Sequence, residues 1–217
     1  DKIFEFLSKA DFQTEIILVD GCSDDGSKEK LILNSSRKGL EGVRVLSLES
    51  RNGYGFDIVE GLKVTKYDHL AWTHADLQTD LNDLVTGYDL LVNDKDEIIV
   101  KGRRRNRPIL DSFLTFGMQL FVRFCLKISL SDINAQPKMF SRDFLQNYIL
   151  KDYPNDFSLD LFLLTKAKLN KYDIKSFPVT FKKRQFGQAK GGGGSIVNRF
   201  KLIKRTLLYI ISHRRRF

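Results

Sequence analysis

The chain has 217 residues, of which 42% are hydrophobic and 29% charged, a composition typical of a globular domain with one sizeable core. No apolar run approaches the roughly 18 residues that cross a bilayer, and the first ten residues mix charges with apolar side chains, unlike a signal peptide. The two cysteines, Cys22 and Cys125, lie far apart and match no metal-binding spacing. They indicate a reducing compartment, so we expect a cytoplasmic protein.

The net charge of +9 belongs to one end of the chain. Residues 182–217 contain eleven Lys or Arg residues and no Asp or Glu, which leaves 25 basic and 27 acidic residues elsewhere. A nucleic-acid-binding domain usually carries its basic side chains on one face of the fold. The charge distribution therefore predicts no nucleic-acid partner, although the total is basic.

The first hundred residues alternate predicted strands with predicted helices. A short amphipathic helix at 1–9 comes first, and the aliphatic run at 15–19 predicts a buried strand of the parallel type. The elements predicted after it are a helix at 28–36, a strand at 43–48, a helix at 56–66, a buried strand that ends at Trp72, a helix at 81–92 and a strand at 97–100. This alternation indicates βαβ units in an α/β fold with a mostly parallel sheet.

The second half of the chain is richer in helix. We predict a long helix at 109–130, a short strand at 139–140, a helix at 157–169, a strand at 174–181 and an amphipathic helix at 196–211. Pro178 predicts that the last of these strands lies at a sheet edge. Four consecutive glycines mark the loop that follows, so we divide the chain into a main domain at 1–181 and a basic loop with a C-terminal helix at 182–217.

Two oxygen donors follow the strand that ends at Trp72. Asp76 and Gln78 lie just past its carboxyl end, and that edge of an open α/β sheet is where ligands bind. A carboxylate and an amide oxygen two residues apart can face one hard cation that is shared with phosphate oxygens. The alternative is a polar turn into the next helix with Asp80 as its N-cap, and these residues alone favour neither interpretation.

Five segments resemble, in order, motifs of the family 2 glycosyltransferases of the GT-A fold. Residues 19–27 (VDGCSDDGS) resemble the turn V-D-D-G-S-x-D-G-T, and residues 52–61 resemble N-x-G-x-x-x-A-x-x-x-G. Residues 74–78 (HADLQ) resemble the D-A-D-L-Q metal motif of the polyprenyl-phosphate branch, which includes enzymes similar to dolichyl-phosphate mannose synthase. Residues 138–142 resemble F-x-x-F-x-R, and residues 184–190 resemble R-x-x-G-x-S-K of the same branch.

The resemblance implies a catalytic domain at 1–181 that moves a hexose from a nucleotide-diphosphate sugar such as a UDP- or GDP-hexose. Its donor-binding residues would be Asp20 and Asp25 at the nucleoside, Asn52 and Gly53 in the second motif, and Lys190 at the phosphates.

The resemblance also implies a metal site and a leaving-group site. Asp76 and Gln78 would hold Mg²⁺ or Mn²⁺ between the donor's phosphates, and Arg184 would stabilise the nucleoside diphosphate as it leaves. Asp76 and Arg184 are therefore candidate catalytic residues.

The acceptor implied by this branch is a polyprenyl phosphate at the cytoplasmic face of a membrane. Arg103, Arg107 and Ser112 fall in the region that binds its phosphate, for which the guanidinium fork is suited, although a solvated charged turn is the alternative. A phosphate acceptor is largely ionised at neutral pH, with a second pKa of about 6, and needs no general base. A glycan or lipid-linked saccharide acceptor needs one, and Asp132 is then the candidate, unless it is only a turn residue.

Two departures from the family pattern favour a further alternative, a non-catalytic protein that binds a nucleotide sugar or acts as a membrane scaffold. His74 replaces the first Asp of D-A-D-L-Q and is either a metal ligand or a space-filling residue. Nothing before Glu15 resembles the first strand of the family. We therefore expect a chain that is N-terminally truncated or lacks that strand, with a sheet one strand short.

The C-terminal segment is predicted to be interfacial. The helix at 196–211 has one apolar face with basic residues opposite, and three arginines follow it. This pattern predicts peripheral contact of residues 196–217 with anionic lipid headgroups at the inner face of a membrane. The alternative is a helix docked on the catalytic domain with a solvated basic end.

Overall fold

The computed structural model of the chain describes residues 2–37, 39–76, 78–94, 97–105, 109–182 and 196–213, with side chains at all of these except 109–115, 196–202 and 213. The chain forms two compact units. The first unit contains Asp1–Leu70 and Ser141–Asp156, and the second contains Ala71–Phe140 and Phe157–Phe217.

Helices and strands alternate through most of the chain. In chain order the elements are α1 (Lys2–Lys9), β1 (Ile16–Asp20), α2 (Ser27–Ser35), β2 (Val43–Ser47), α3 (Tyr54–Lys63), β3 (His69–Trp72), α4 (Asn82–Val92), β4 (Ile98–Arg105), α5 (Ile109–Leu126), β5 (Lys138–Ser141), α6 (Arg142–Phe144), a short π-helix (Leu145–Ile149), α7 (Leu159–Leu169), β6 (Asp173–Thr180) and α8 (Ile196–His213).

The first unit is built on the parallel pair β1 and β2, which align from Ile16 opposite Val43 to Asp20 opposite Ser47. Helix α3 packs against β1 through a close approach at Gly61, where a Cβ would lie 2.6 Å from the side chain of Val19. Val59 of the same helix is fully buried. The glycine of the second family motif therefore has a packing role in this chain.

The second unit contains a four-stranded sheet in the order β3-β5-β4-β6. Strands β4 and β6 are parallel, whereas β5 is antiparallel to β4. One core cluster lies where α4 meets this sheet and consists of Leu91, Ile98, Val100, Met139, Phe177 and Val179. Since β6 is an edge strand, the prediction made from Pro178 is confirmed.

Two predicted boundaries and one predicted burial pattern are wrong. Strand β4 continues past Val100 to Arg105 because its last residues pair with β6, so Arg103 lies in a strand and not in a turn. Helix α5 ends at Leu126 because Lys127 has a left-handed φ of 58°. Strand β3 lies at a sheet edge and buries Leu70 and Trp72 only, rather than both of its faces.

The C-terminal helix α8 forms as predicted and packs against α5 within the second unit. The domain boundary near residue 181 stays a prediction. None of the helices in the described part of the chain combines the length and hydropathy that a membrane-spanning helix requires.

Candidate active site

The two predicted acids of the turn after β1 accept hydrogen bonds from near neighbours. Asp20 is buried, and its Oδ2 accepts a hydrogen bond from the backbone N–H of Ser23 at 3.2 Å. Asp25 accepts one from the N–H of Ser27, the first residue of α2, at 3.1 Å. The two predicted nucleoside-binding acids therefore share one turn, in which Asp25 also satisfies a free N–H at a helix start.

The turn before α3 requires glycine for two reasons. Gly53 has a φ of 114°, which side chains rarely adopt, and a Cβ there would lie 2.5 Å from the carbonyl oxygen of Asn155. Two residues later, the N–H of Gly55 donates to the same carbonyl at 2.8 Å. The side chain of Asn52 is exposed and donates to Ser50 Oγ at 2.8 Å. Gly53 thus sets the backbone at the start of α3, whereas the side chain of Asn52 contacts Ser50.

Asp57 is a further acid of the first unit that sequence reasoning missed. It lies in the first turn of α3, and a Cβ at Gly21 would come within 3.1 Å of its carboxyl carbon. Burial, followed by the charge of Asp20, raises the pKa of Asp57 above its ordinary value. The one signal in the sequence is its place four residues after Gly53, at the start of a helix.

The predicted metal ligands occupy the turn after β3. The side chain of Asp76 is only 14% exposed, and its Oδ1 accepts the N–H of Gln78 at 3.1 Å. Gln78 in turn forms two hydrogen bonds with Lys182. The Gln78 Nε2 donates to the Lys182 carbonyl at 3.0 Å, and the Lys182 N–H donates to the main-chain carbonyl of Gln78 at 2.7 Å. Lys182, 104 positions away, therefore fixes Gln78 at two points, the side-chain amide and the main-chain carbonyl.

This donor set fits a divalent cation that is shared with phosphate. Among the described residues, no cluster of three or more His, Cys, Asp or Glu side chains could enclose a metal ion. Asp76 supplies a carboxylate, and donation by Gln78 Nε2 leaves the amide oxygen as the donor atom of that side chain. Two hard oxygen donors are the number that Mg²⁺ commonly takes from a protein when substrate phosphates and water complete its octahedral shell.

His74 is held close to this pair in its neutral form. Its Nδ1 lies 4.0 Å from Asp76 Oδ2. Burial lowers the pKa of His74, although the charges of Asp160 and Asp76 act in the opposite direction. A neutral imidazole can serve as a metal ligand. The roles of metal ligand and of space-filling residue both stay predictions.

A buried ionic cluster lies in the same unit, and sequence reasoning found only part of it. Lys138 forms an ion pair with Asp160 of α7, and both side chains are almost fully buried. Gln136 Nε2 donates to the same carboxylate at 3.0 Å, and Lys138 Nζ lies 5.6 Å from the centre of the Trp72 ring. The charge on each residue is thus matched inside the protein, as buried charges require.

Lys101 lies directly opposite Lys138 in the antiparallel register of β4 and β5. Its Nζ donates to the carbonyl oxygens of Gly102 at 2.9 Å and Asp132 at 3.1 Å. Burial, together with the charge of Lys138, lowers the pKa of Lys101 to about 7. This lysine is therefore poised between its charged and neutral forms near neutral pH.

Asp132, the candidate general base, is committed to Arg104. Arg104 donates to its carboxylate from the backbone N–H at 2.7 Å, from Nε at 3.0 Å, and from Nη2. Burial raises the pKa of Asp132, but the hydrogen bonds and charge of Arg104 outweigh it and hold the pKa below its ordinary value. A carboxylate of lowered pKa is a weak base, so these contacts favour a positioning role over proton abstraction.

The remaining predicted residues are less completely placed. Arg103 lies in β4 with an exposed side chain. Ser112 lies in α5, but its side chain is not among those described. Arg107, Arg184 and Lys190 lie outside the described residues. Their predicted roles stay predictions.

Similarity to solved structures extends over nearly the whole chain. Glucosyl-3-phosphoglycerate synthase from Mycobacterium tuberculosis, in complex with uridine diphosphate, matches with a TM-score of 0.73 and 16% sequence identity, covering 98% of this chain and 74% of that chain. The same synthase with Mn²⁺, UDP-glucose and phosphoglyceric acid gives a TM-score of 0.71, again at 16% identity, covering 98% and 73% of the two chains.

A mannosyltransferase from Pyrobaculum calidifontis, in complex with GDP-Man and Mn²⁺, matches with a TM-score of 0.61 and 16% identity, covering 97% of this chain and 64% of that chain. At such identities the likeness concerns the fold, and it confirms the predicted α/β fold of the GT-A type. The family model described as Glycosyl transferase family 2 matches residues 4–161, well over half of the sequence. The chain therefore belongs to glycosyl transferase family 2.

Proposed function

We propose that this protein transfers a hexose from a nucleotide-diphosphate sugar to a phosphate-bearing acceptor, with polyprenyl phosphate as the acceptor class. The observation that carries the proposal is the turn after β3, where Asp76 and Gln78 present two hard oxygen donors and are held in place by hydrogen bonds. The solved relatives with bound Mn²⁺ and UDP-glucose or GDP-Man support a donor of this kind.

Asp76 and Gln78 would hold Mg²⁺ or Mn²⁺, and the bound cation would neutralise charge that develops on the departing diphosphate. The contribution of the chain is pre-organisation. The hydrogen bond from the Gln78 N–H orients the Asp76 carboxylate, and the Lys182 carbonyl orients the Gln78 side-chain amide. Neither metal ligand therefore has to rearrange when the nucleotide sugar binds. Arg184 and Lys190 are proposed to contact the same diphosphate.

The first unit is proposed to contact the nucleoside. Asp20 and Asp25 supply carboxylate oxygens that accept hydrogen bonds from base and ribose, and the turn hydrogen bonds hold both side chains in place. Asn52 and Gly53 are proposed to act on the donor side through the turn that begins α3.

The acceptor is proposed to be a phosphate because the second unit offers no strong base at the predicted position. Asp132 is paired with Arg104, and its pKa is held low, which suits a nucleophile that is already ionised. Arg103, Arg107 and Ser112 are the proposed contacts of the acceptor phosphate. A sugar-hydroxyl acceptor, the second candidate, would need a base that this pairing disfavours.

The test is turnover of UDP-glucose and GDP-mannose with Mn²⁺, in the presence and absence of a long-chain polyprenyl phosphate. We expect transfer to depend on the lipid phosphate and the variant Asp76→Asn to lose about 100-fold or more in kcat/KM, as loss of a metal ligand usually causes. Asp24→Asn is the matched control, since the side chain of Asp24 is 77% exposed in the other acidic turn. Unchanged turnover in Asp76→Asn would refute the assignment.

A further inference from the structure

One side of α5 exposes large apolar side chains to solvent. Phe116, Leu120 and Phe124 are 61%, 57% and 86% exposed, and their spacing of four residues places them on one side of the helix. Val122, between them in sequence, is fully buried. The helix therefore packs on the protein by its other side and presents a continuous apolar stripe outward, which we call the α5 stripe.

The neighbouring helix α8 has the same two-sided character. It packs against α5, and its Ile210 is fully buried, whereas Leu208 and Ile211 are 55% and 48% exposed. Lys204 is exposed and lies one turn before Leu208. Two adjacent helices thus each bury one side and leave apolar residues accessible on another.

From residue 112 onwards, the charged residues of α5 and of the C-terminal segment are all basic. Residues 112–131, which include the stripe, contain no Asp or Glu, and residues 182–217 contain none either. Arg123 and Lys127 are exposed beside the stripe, and Lys204 and Arg205 are exposed on α8. An apolar stripe flanked by cations is complementary to a surface that is apolar inside and anionic outside.

A second copy of the chain matches this surface poorly. An isologous dimer through the stripe would place each basic rim against the identical rim of its partner, which costs free energy through like-charge repulsion. A bilayer that contains anionic lipid offers both parts at once. Its acyl region accepts Phe116, Leu120 and Phe124, and its headgroups accept the cations.

We propose that α5, together with α8, is a membrane-docking surface that binds anionic bilayers in the plane of the interface. Helix α5 has 18 residues and is about 27 Å long, enough to lie along the interface with the stripe immersed about 5–10 Å. The proposal moves the principal lipid contact from the C-terminal tail to α5. It is independent of the chemistry of sugar transfer.

The experiment is flotation of the full chain with vesicles of phosphatidylcholine alone and of phosphatidylcholine with about one-third phosphatidylglycerol. We expect binding to the anionic vesicles that weakens with salt, and a loss of at least about tenfold in affinity for Phe116→Ser/Leu120→Ser/Phe124→Ser. The matched control is Ile32→Ser/Leu33→Ser, which removes apolar residues that are 47% and 74% exposed on α2. The control variant should bind vesicles like the parent chain.

A spectroscopic reporter keeps the proposal testable if the triple variant folds poorly. The chain has one tryptophan, Trp72, which is buried, so Phe124→Trp adds an exposed indole with a separable signal. Its emission should shift to the blue and resist aqueous quenchers when anionic vesicles are added. Three results would overturn the proposal: no vesicle binding by the parent chain, unchanged binding of the triple variant, or a dimer or an acidic-protein complex that accounts for burial of the stripe without lipid.

Discussion

Two acidic turns, one after β1 and one after β3, look alike in sequence and are stabilised differently. In the first turn, Asp20 and Asp25 accept hydrogen bonds from residues two or three positions ahead. In the second, Asp76 also accepts a hydrogen bond from the residue two positions ahead, but Gln78 is fixed by Lys182, which arrives from the end of β6. The two acids of the first turn are thus held by neighbouring residues, although Arg51 also reaches that turn at Asp24 and at the Cys22 carbonyl. In the second turn, by contrast, the side-chain amide of Gln78 is held by a residue 104 positions away.

The difference follows from what each turn is proposed to hold. A nucleoside is recognised by hydrogen bonds that tolerate small shifts, whereas an octahedral Mg²⁺ site demands near-ideal placement of its oxygen donors. The contact with Lys182 restricts the orientation of the Gln78 side chain and so places its amide oxygen. Substitutions at Lys182, far from the second turn in sequence, should therefore disturb Gln78, whereas Asp20 and Asp25 should respond mainly to substitutions beside them.

The largest effect is expected from breaking the buried ion pair of the second unit. Asp160→Ala leaves Lys138 buried without its carboxylate, which should lower the free energy of unfolding by about 3–5 kcal/mol. The measurement is urea denaturation followed by the fluorescence of Trp72, which lies in the second unit. The matched variant Asp24→Ala removes an exposed pair with Arg51 and should change the free energy by less than about 0.5 kcal/mol. Equally small losses of unfolding free energy in the two variants would show that the buried ion pair does not stabilise the second unit.

A smaller effect is expected from the pH dependence of stability. The pKa of Lys101 is about 7 in the folded chain against an ordinary 10.5, so the unfolded chain binds more protons between these values. Stability should therefore rise with pH across this window, by about 1 kcal/mol per pH unit, and fall as pH decreases towards 7. Lys101→Met should remove this slope, which is measured as the difference between the two variants from pH 7.5 to 9.5. A slope shared by both would assign the dependence to other groups.

The smallest effect concerns the link between Lys182 and Gln78. Lys182→Pro removes the N–H that donates to Gln78, whereas Lys182→Ala keeps both backbone hydrogen bonds and loses only the 3.5 Å contact with Asp80. We expect Mn²⁺ affinity in the presence of UDP to fall about tenfold in the proline variant and by less than about twofold in the alanine variant. Equal affinities in the two variants would show that the distant contact does not position the metal ligand.

The features that the sequence predicts correctly are those set by neighbouring residues. Alternating aliphatic and helical segments predict the α/β fold, and Pro178 predicts an edge strand. Each depends on interactions within a few positions, which a sequence window contains. The order of the motifs then identifies the family, because several of them follow strand ends and the fold sets the order and spacing of those ends along the chain.

The features that the sequence misses depend on partners far away in the chain. Strand β4 was expected to stop before the charged residues at 101–105, but pairing with β6 carries it through them. Lys101 and Asp160 look like ordinary surface residues until the fold buries them beside Asp132 and Lys138. The sequence points to Asp132 as a candidate but does not reveal its ion pair with Arg104, because the two residues are 28 positions apart.

The central claim is that the turn after β3 binds a divalent cation through Asp76 and Gln78. It is tested most directly by Mn²⁺ titration in the presence of UDP, with free Mn²⁺ followed by electron paramagnetic resonance. The account predicts saturable binding by the parent chain, a loss of at least about tenfold in affinity for Asp76→Asn, and unchanged affinity for Asp24→Asn in the other acidic turn. Equal affinity of Asp76→Asn and the parent chain would contradict it.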